Sequence, residues 1–145
     1  MYIFIGVIWF LLDWVTKYFI QQHFILGESL PIIPNVFHIT YILNYGAAFG
    51  ILRDQRLFFL LVVVILMVAL YVFRKQIKNG GILPRLGSSL LVSGALGNAV
   101  DRLLRGAVID FFDFRIWPIF NVADIGICIG VVLLVIYFWR YDSIQ

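Results

Sequence analysis

The sequence predicts an all-α membrane protein: a bundle of four transmembrane helices with a small extracytoplasmic segment that contains β-structure. Three observations carry that prediction. Of 145 residues, 63% are apolar and only 13% are charged, with a mean hydropathy of +1.00, which is not the balance of a soluble domain. The apolar residues gather into four runs near the roughly 20 residues that a helix needs to cross a bilayer. The net charge of +3 is concentrated in one short connection, which fits membrane topology better than nucleic-acid binding, so no nucleic-acid partner is expected.

The first span is expected over 1–20. It lacks the basic start and small-residue cleavage pattern of a secretory signal peptide and carries Asp13 and Lys17, so it reads as a retained helix. Further spans are expected over 57–73, 86–104 and 121–139, giving one domain over 1–145. The connection 74–85, "RKQIKNGGILPR", holds four basic residues and no acid, whereas 21–56 balances Arg53 and Arg56 against Glu28 and Asp54. The positive-inside rule then places 74–85 and both termini in the cytoplasm, and 21–56 and 105–120 outside. The single cysteine, Cys128, excludes an internal disulfide and is expected to be small core packing.

The outer connections are more than linkers. In "VFHITYILNY", Phe37, Ile39, Tyr41 and Leu43 alternate with His38, Thr40, Ile42 and Asn44, the period of a half-buried strand. "NYGAAFG" follows, with glycines suited to an irregular backbone at the membrane face. If 108–116 runs extended, Asp110 lies on a stripe with Val108, Phe112 and Phe114, where desolvation favours the neutral acid. Asp113 shares the other face with Arg115 and is expected to be an outer-surface charge paired with it.

At 1.5 Å per residue, Asp101 lies roughly 24 Å outward from Arg85, and Asp124 roughly 24 Å outward from Arg140. Asp13 and Lys17 lie roughly 18 and 24 Å from Met1. Polar groups from separate stretches therefore reach one level in the outer half. Asp13 and Lys17 are i and i+4, acid first; Asn98, Asp101 and Arg102 share a face, as do Asn121 and Asp124. Ionisable groups at such depth face a bundle interior or a wet cavity, because facing lipid is costly.

Structural readings stand beside this one. Asp13 with Lys17 serves equally as a neutralised pair that lets a helix insert, and Asp101 with Arg102 as a snorkelling pair at a helix end. Asn121 and Asp124 fit the N-cap and N3 positions of a variant capping box.

Two acids that split one proton can activate water toward an amide: the carboxylate takes a proton from water while the acid polarises the carbonyl oxygen. Asp110, on an apolar face, and Asp124, near a helix start, have environments that differ in this way. A serine enzyme is disfavoured because the two histidines, His23 and His38, lie in the first outer connection. Zinc ligands are scarce. Magnesium held by Asp101, Asp110 and Asp124 stays open, although no glycine-rich phosphate loop accompanies them.

Five motifs, "DWVTK" (13–17), "NYGAAFG" (44–50), "GALGNAVDR" (94–102), "VIDF" (108–111) and "FNVAD" (120–124), occur in order along the chain. With them it resembles the lipoprotein signal peptidases, the signal peptidase II family of bacterial membrane aspartyl proteases. The resemblance implies removal of the signal peptide from diacylglyceryl-modified prolipoproteins at the bond just before the lipidated cysteine. It implies Asp110 and Asp124 as the catalytic dyad. Asn44, Gly46, Asn98, Arg102 and Asn121 would line or order the site, with support from Asp13, Lys17 and Asp101. No metal or organic cofactor is implied. The expected setting is the bacterial cytoplasmic membrane, with the site near the outer leaflet. Membrane lipids are expected partners, and globomycin-type cyclic peptides are expected inhibitors. The competing classes are a small transporter or proton relay using buried carboxylates, and a structural subunit packed through Gly126 and Gly130 of "GICIG".

Overall fold

The computed structural model describes residues 2–46 and 51–142. Its elements are α1 (Tyr2–His23), β1 (Ser29–Ile33), β2 (Phe37–Asn44), α2 (Arg56–Val72), α3 (Arg74–Asn79), α4 (Ile82–Arg105), β3 (Val108–Asp113) and α5 (Val122–Asp142). The four longest helices coincide with the four apolar runs. By length and composition, α1 and α5 are clear candidates to cross a membrane. At 17 residues, α2 is apolar but shorter; α4 has 24 residues and carries Arg85, Asn98, Asp101 and Arg102, which lowers its apolarity.

Helix α4 is the hub, with α1, α2 and α5 all packed on it. Its small residues let backbones approach. A Cβ on Gly130 of α5 would stand 2.6 Å from the Gly87 carbonyl oxygen of α4, and a Cβ on Gly94 of α4 would collide with the Ala123 carbonyl of α5. Gly126 makes the same kind of room for Trp9 of α1. The "GICIG" glycines thus seat this chain's own helices, in the close packing that small residues permit between apolar helices. Pro84 is tolerated because it lies in the first turn of α4, where its missing N–H would have had no intrahelical partner. Gly106 ends α4 at φ 78° and donates its N–H to Arg102 O at 3.0 Å, a left-handed cap that glycine adopts without strain.

The sheet has the order β1-β2-β3, antiparallel throughout. The alternation over 37–44 corresponds to β2; β1, with Pro31 and less regular alternation, adds the edge that the pattern did not announce. Ile109 and Phe111 of β3 join Ile20, Tyr41 and Val122 in a buried apolar cluster, which fastens the sheet to the ends of α1 and α5. After β3 the chain turns and comes back: Phe112 and Phe120 pair, with Phe112 N donating to Phe120 O at 2.8 Å and Phe120 N to Phe112 O at 3.2 Å.

Two expectations need correction. Cys128 is exposed rather than core, because the packed side of α5 is taken by Gly126 and Gly130. Asp113 is 4% exposed, since β3 is covered on both faces. Its pairing with Arg115 does form, Nη1 to Oδ2 at 2.8 Å, and Thr40 adds a hydroxyl donor at 2.8 Å. Burial opposes the Asp113 charge, but these donors and the Arg115 backbone N–H outweigh it and hold the carboxyl below its ordinary range. Residues 47–50 of "NYGAAFG" lie outside the described residues.

Outward faces carry large apolar side chains, among them Ile3, Phe4, Leu57, Val64 and Val132, an exterior suited to lipid rather than water. The α4–α5 contact offers a direct check. Gly130→Val is expected to force the two helices apart and to cost about 1–3 kcal/mol, measured by unfolding of the purified protein in detergent. Val131→Leu, on the exposed side of the same helix, should be neutral.

Candidate active site

Lys17 is 3% exposed and Asp13 1%, at the end of α1 near the sheet. The ammonium reaches Asp13 Oδ2 at 2.8 Å, Asp101 Oδ2 at 2.9 Å and Asn98 Oδ1 at 3.0 Å. All three of its donors have an acceptor. The i, i+4 pair read from the sequence forms, but it is part of a junction between helices rather than a self-contained neutral pair. Asp13 Oδ1 accepts the Ala123 N–H of α5 at 2.8 Å. Asp101 accepts the Ile109 N–H of β3 at 3.4 Å and Arg105 Nη1 at 3.0 Å. Two acids and two bases neutralise one another, which buried charge requires.

Asn121 and Asp124 form the capping box. Asn121 Oδ1 accepts the Asp124 N–H at 2.9 Å, and Asp124 Oδ2 accepts the Asn121 N–H at 3.1 Å. The cap also reaches across the site. Asn121 Nδ2 donates to Asp110 Oδ1 at 2.7 Å and to Ile109 O and Asn98 Oδ1, each at 3.1 Å. Asn98 Nδ2 donates to Asp124 Oδ1 at 2.8 Å. Structural and functional readings of this pair therefore coincide in one set of atoms.

Asp110, 1% exposed, receives Asn44 Nδ2 from the end of β2 on Oδ2 at 2.9 Å. Burial, then the negative charge of Asp124, pushes its pKa up to about 7, against the two asparagine donors. Asn44 is itself held by the Gly46 N–H, which donates to Oδ1 at 3.0 Å. Arg102 donates to Gly46 O at 3.1 Å and lies over the Phe59 ring, 4.2 Å from its centre. Arg102 thus orders the end of β2 and does not pair with Asp101. Asp101 is committed to Lys17 and Arg105 and, among the described residues, shares no partner atom with Asp110 or Asp124, which weighs against the magnesium trio.

The structure brings Asp13, Lys17, Asn44, Gly46, Asn98, Asp101, Arg102, Asp110, Asn121 and Asp124 into one hydrogen-bonded network at one end of the bundle. Two members escaped the sequence reading. A Cβ on Gly97 would stand 2.5 Å from Asp13 Oδ2, so only glycine leaves room for that carboxylate. Arg105 stands i+4 from Asp101, the same acid-first spacing already used for Asp13 and Lys17.

Residues 5–140 match the family described as Signal peptidase (SPase) II. A lipoprotein signal peptidase of Halothermothrix orenii is 41% identical over 92% of each chain. One from Desulfitobacterium hafniense is 45% identical over 91% of this chain and 87% of its own. A solved bacterial membrane enzyme superposes with a TM-score of 0.88 at 39% identity, covering 99% of this chain and 90% of that one. A second gives 0.82 at 40% identity, over 94% and 91%.

The Lys17 junction makes a stability prediction. Lys17→Met leaves two buried carboxylates without that cation and is expected to cost about 3–5 kcal/mol. Adding Asp13→Asn and Asp101→Asn should recover part of the loss. Thermal unfolding in detergent of the single and triple variants checks both.

Proposed function

The chain belongs to the signal peptidase II family, and from that premise we propose that Asp110 and Asp124 are the pair with which it cuts its substrate. The protein is a membrane aspartic protease that removes signal peptides from prolipoproteins. One observation carries the residue assignment: a single side chain, Asn121, binds Asp110 through its amide nitrogen and caps Asp124 through its amide oxygen. The two carboxyl groups are thereby held by one rigid helix start.

The pair shares one proton near neutral pH. Asp110, in the drier setting, holds it and donates to the scissile carbonyl oxygen as that oxygen gains charge. Asp124 takes a proton from water, whose oxygen attacks the carbonyl carbon. Collapse of the tetrahedral adduct breaks the C–N bond: the proton taken by Asp124 passes to the departing amine, and one hydroxyl of the adduct returns a proton to Asp110. The products are a signal peptide with a new carboxylate and a lipoprotein whose diacylglyceryl cysteine now bears the free amino group. Asn98 and Asn121 hold the acids in place; Asn44, Gly46 and Arg102 brace the end of β2 beside them. Asp13, Lys17 and Asp101 support this arrangement from behind. No cofactor enters the scheme.

Four spans, α1, α2, α4 and α5, as parts of a single domain, complete the reading. The basic connection 74–85 and both termini lie in the cytoplasm of a bacterium, and the acid network lies near the outer leaflet of the cytoplasmic membrane. Support comes from the placement of Arg74, Lys75, Lys78 and Arg85 at the opposite end of α4 from Asp101. Exposed Trp117, after β3, is suited to the headgroup region. A lipidated substrate then reaches the dyad sideways from the membrane, and globomycin-type cyclic peptides compete there.

Asp110→Asn and Asp124→Asn should each lower cleavage of a purified lipidated substrate at least about a thousandfold, with chelator present and the fold retained. Near-normal cleavage by either variant would sink the assignment. The pH profile is a separate check. Asp110 is protonated below about pH 7 and loses its proton above it. Cleavage by the wild type should therefore decline on the alkaline side of about 7, where the pair no longer holds a proton to donate.

A further inference from the structure

Between α1, α2 and α4 lies a cavity of about 900 Å³, within the size range of ligand pockets, which runs from the basic end of the bundle to Leu11 and Leu96, just short of the acid network. Its walls are apolar: Val7, Phe10, Leu70 and Val92 are among the lining residues. One end is rimmed by Arg74, Lys78 and Arg85. Among the described residues none of these three cations forms an ion pair. Arg74 donates to Tyr71 O at 2.8 Å, and Arg85 Nε donates to Lys78 O at 2.9 Å. Both guanidinium groups are thus anchored by neutral partners, and each lies over a tyrosine ring, Arg74 over Tyr71 at 4.0 Å and Arg85 over Tyr2 at 5.8 Å, which leaves them without an opposite charge among the described residues.

We propose that this groove holds one anionic phospholipid of the inner leaflet, with its phosphate on the Arg74, Lys78 and Arg85 rim and an acyl chain between α1 and α2. The inner-leaflet placement rests on the orientation proposed above. Length selects the occupant. From Arg85 to Leu96, the lining runs roughly 17 Å along α4, close to half of the ~30 Å hydrocarbon core. That suits an acyl chain and is too short for a transmembrane peptide. Charge selects it again, since the basic start of a signal peptide would meet a basic rim, whereas a phosphate is attracted to it. The lipid would fill the space between α1 and α2, where α2 has no buried residue of its own.

The test uses the purified full-length protein in detergent micelles, titrated with phosphatidylglycerol or phosphatidylcholine of equal chain length and read by native mass spectrometry. One retained phosphatidylglycerol molecule is expected, bound at least about tenfold more tightly than phosphatidylcholine, since each basic side chain adds roughly fivefold. The triple variant R74Q/K78Q/R85Q should lose that preference while cleaving a lipidated peptide in micelles at the wild-type rate. Leu70→Trp, which fills the groove, should weaken both lipids. Equal retention of the two lipids, or a preference that survives in the triple variant, would overturn the proposal. So would displacement of the lipid by an unlipidated signal helix. Orientation is read separately by labelling Lys75→Cys in a Cys128→Ser background with an impermeant maleimide. Labelling from the cytoplasmic side is expected; labelling from outside would overturn the inner-leaflet placement even with the micelle preference intact.

Discussion

The buried ammonium of Lys17 is the constraint on which the site depends. It sits where four elements meet and satisfies each of its three donors on a different residue: Asp13 of its own helix, and Asp101 and Asn98 of α4. Through Asp13 it reaches the first turn of α5, and through Asp101 the start of β3. Through Asn98 it touches the side chain that binds Asp124. An unpaired ammonium or carboxylate in a dry interior costs several kcal/mol, so each member is held in place by the loss that its departure would inflict on the others. That interdependence is what a site built of acids needs: the groups that react must not drift toward water.

The proposed catalytic pair stands one layer further from Lys17 and is treated differently. Lys17 and Arg105 neutralise the acids behind, whereas among the described residues the direct donors to Asp110 are neutral, from Asn44 and Asn121. A cation bonded to Asp110 would fix it as an anion and remove it as a proton donor. Amide donors position the carboxyl and lower its proton affinity, but burial and the Asp124 charge outweigh them. Asparagine can thus hold an acid in place without fixing it as an anion.

The two ends of the bundle solve opposite problems with the same helices. At the sheet end, small residues on α4 let a carboxylate and a helix start approach, as Gly97 does for Asp13 and Gly94 for Ala123. At the other end α1 and α2 stand apart, leaving a long apolar groove with a cationic rim. Close packing thus surrounds the proposed dyad, where sub-ångström placement matters, and loose packing lies at the groove proposed to hold a lipid.

Much of this was legible in the residue order, for reasons that are local. Apolar runs specify the four long helices, period-two alternation specifies β2, and the Asn121 and Asp124 spacing specifies a helix start, because each depends only on neighbours along the chain. The motifs marked the members of the site as well. What they could not show was partnership. Asp101 pairs with Lys17 and Arg105 rather than with adjacent Arg102, and Asp113 lies buried under Thr40 instead of facing outward. Cys128 lies on the exposed side of α5 because glycines hold the packed side. The sequence by itself determined which groups were available and at what depth. Only the tertiary structure decided which would touch, because the return of Phe120 onto Phe112 and the close approach of α4 and α5 join residues far apart in the chain, and contacts of that kind leave no periodic trace in it.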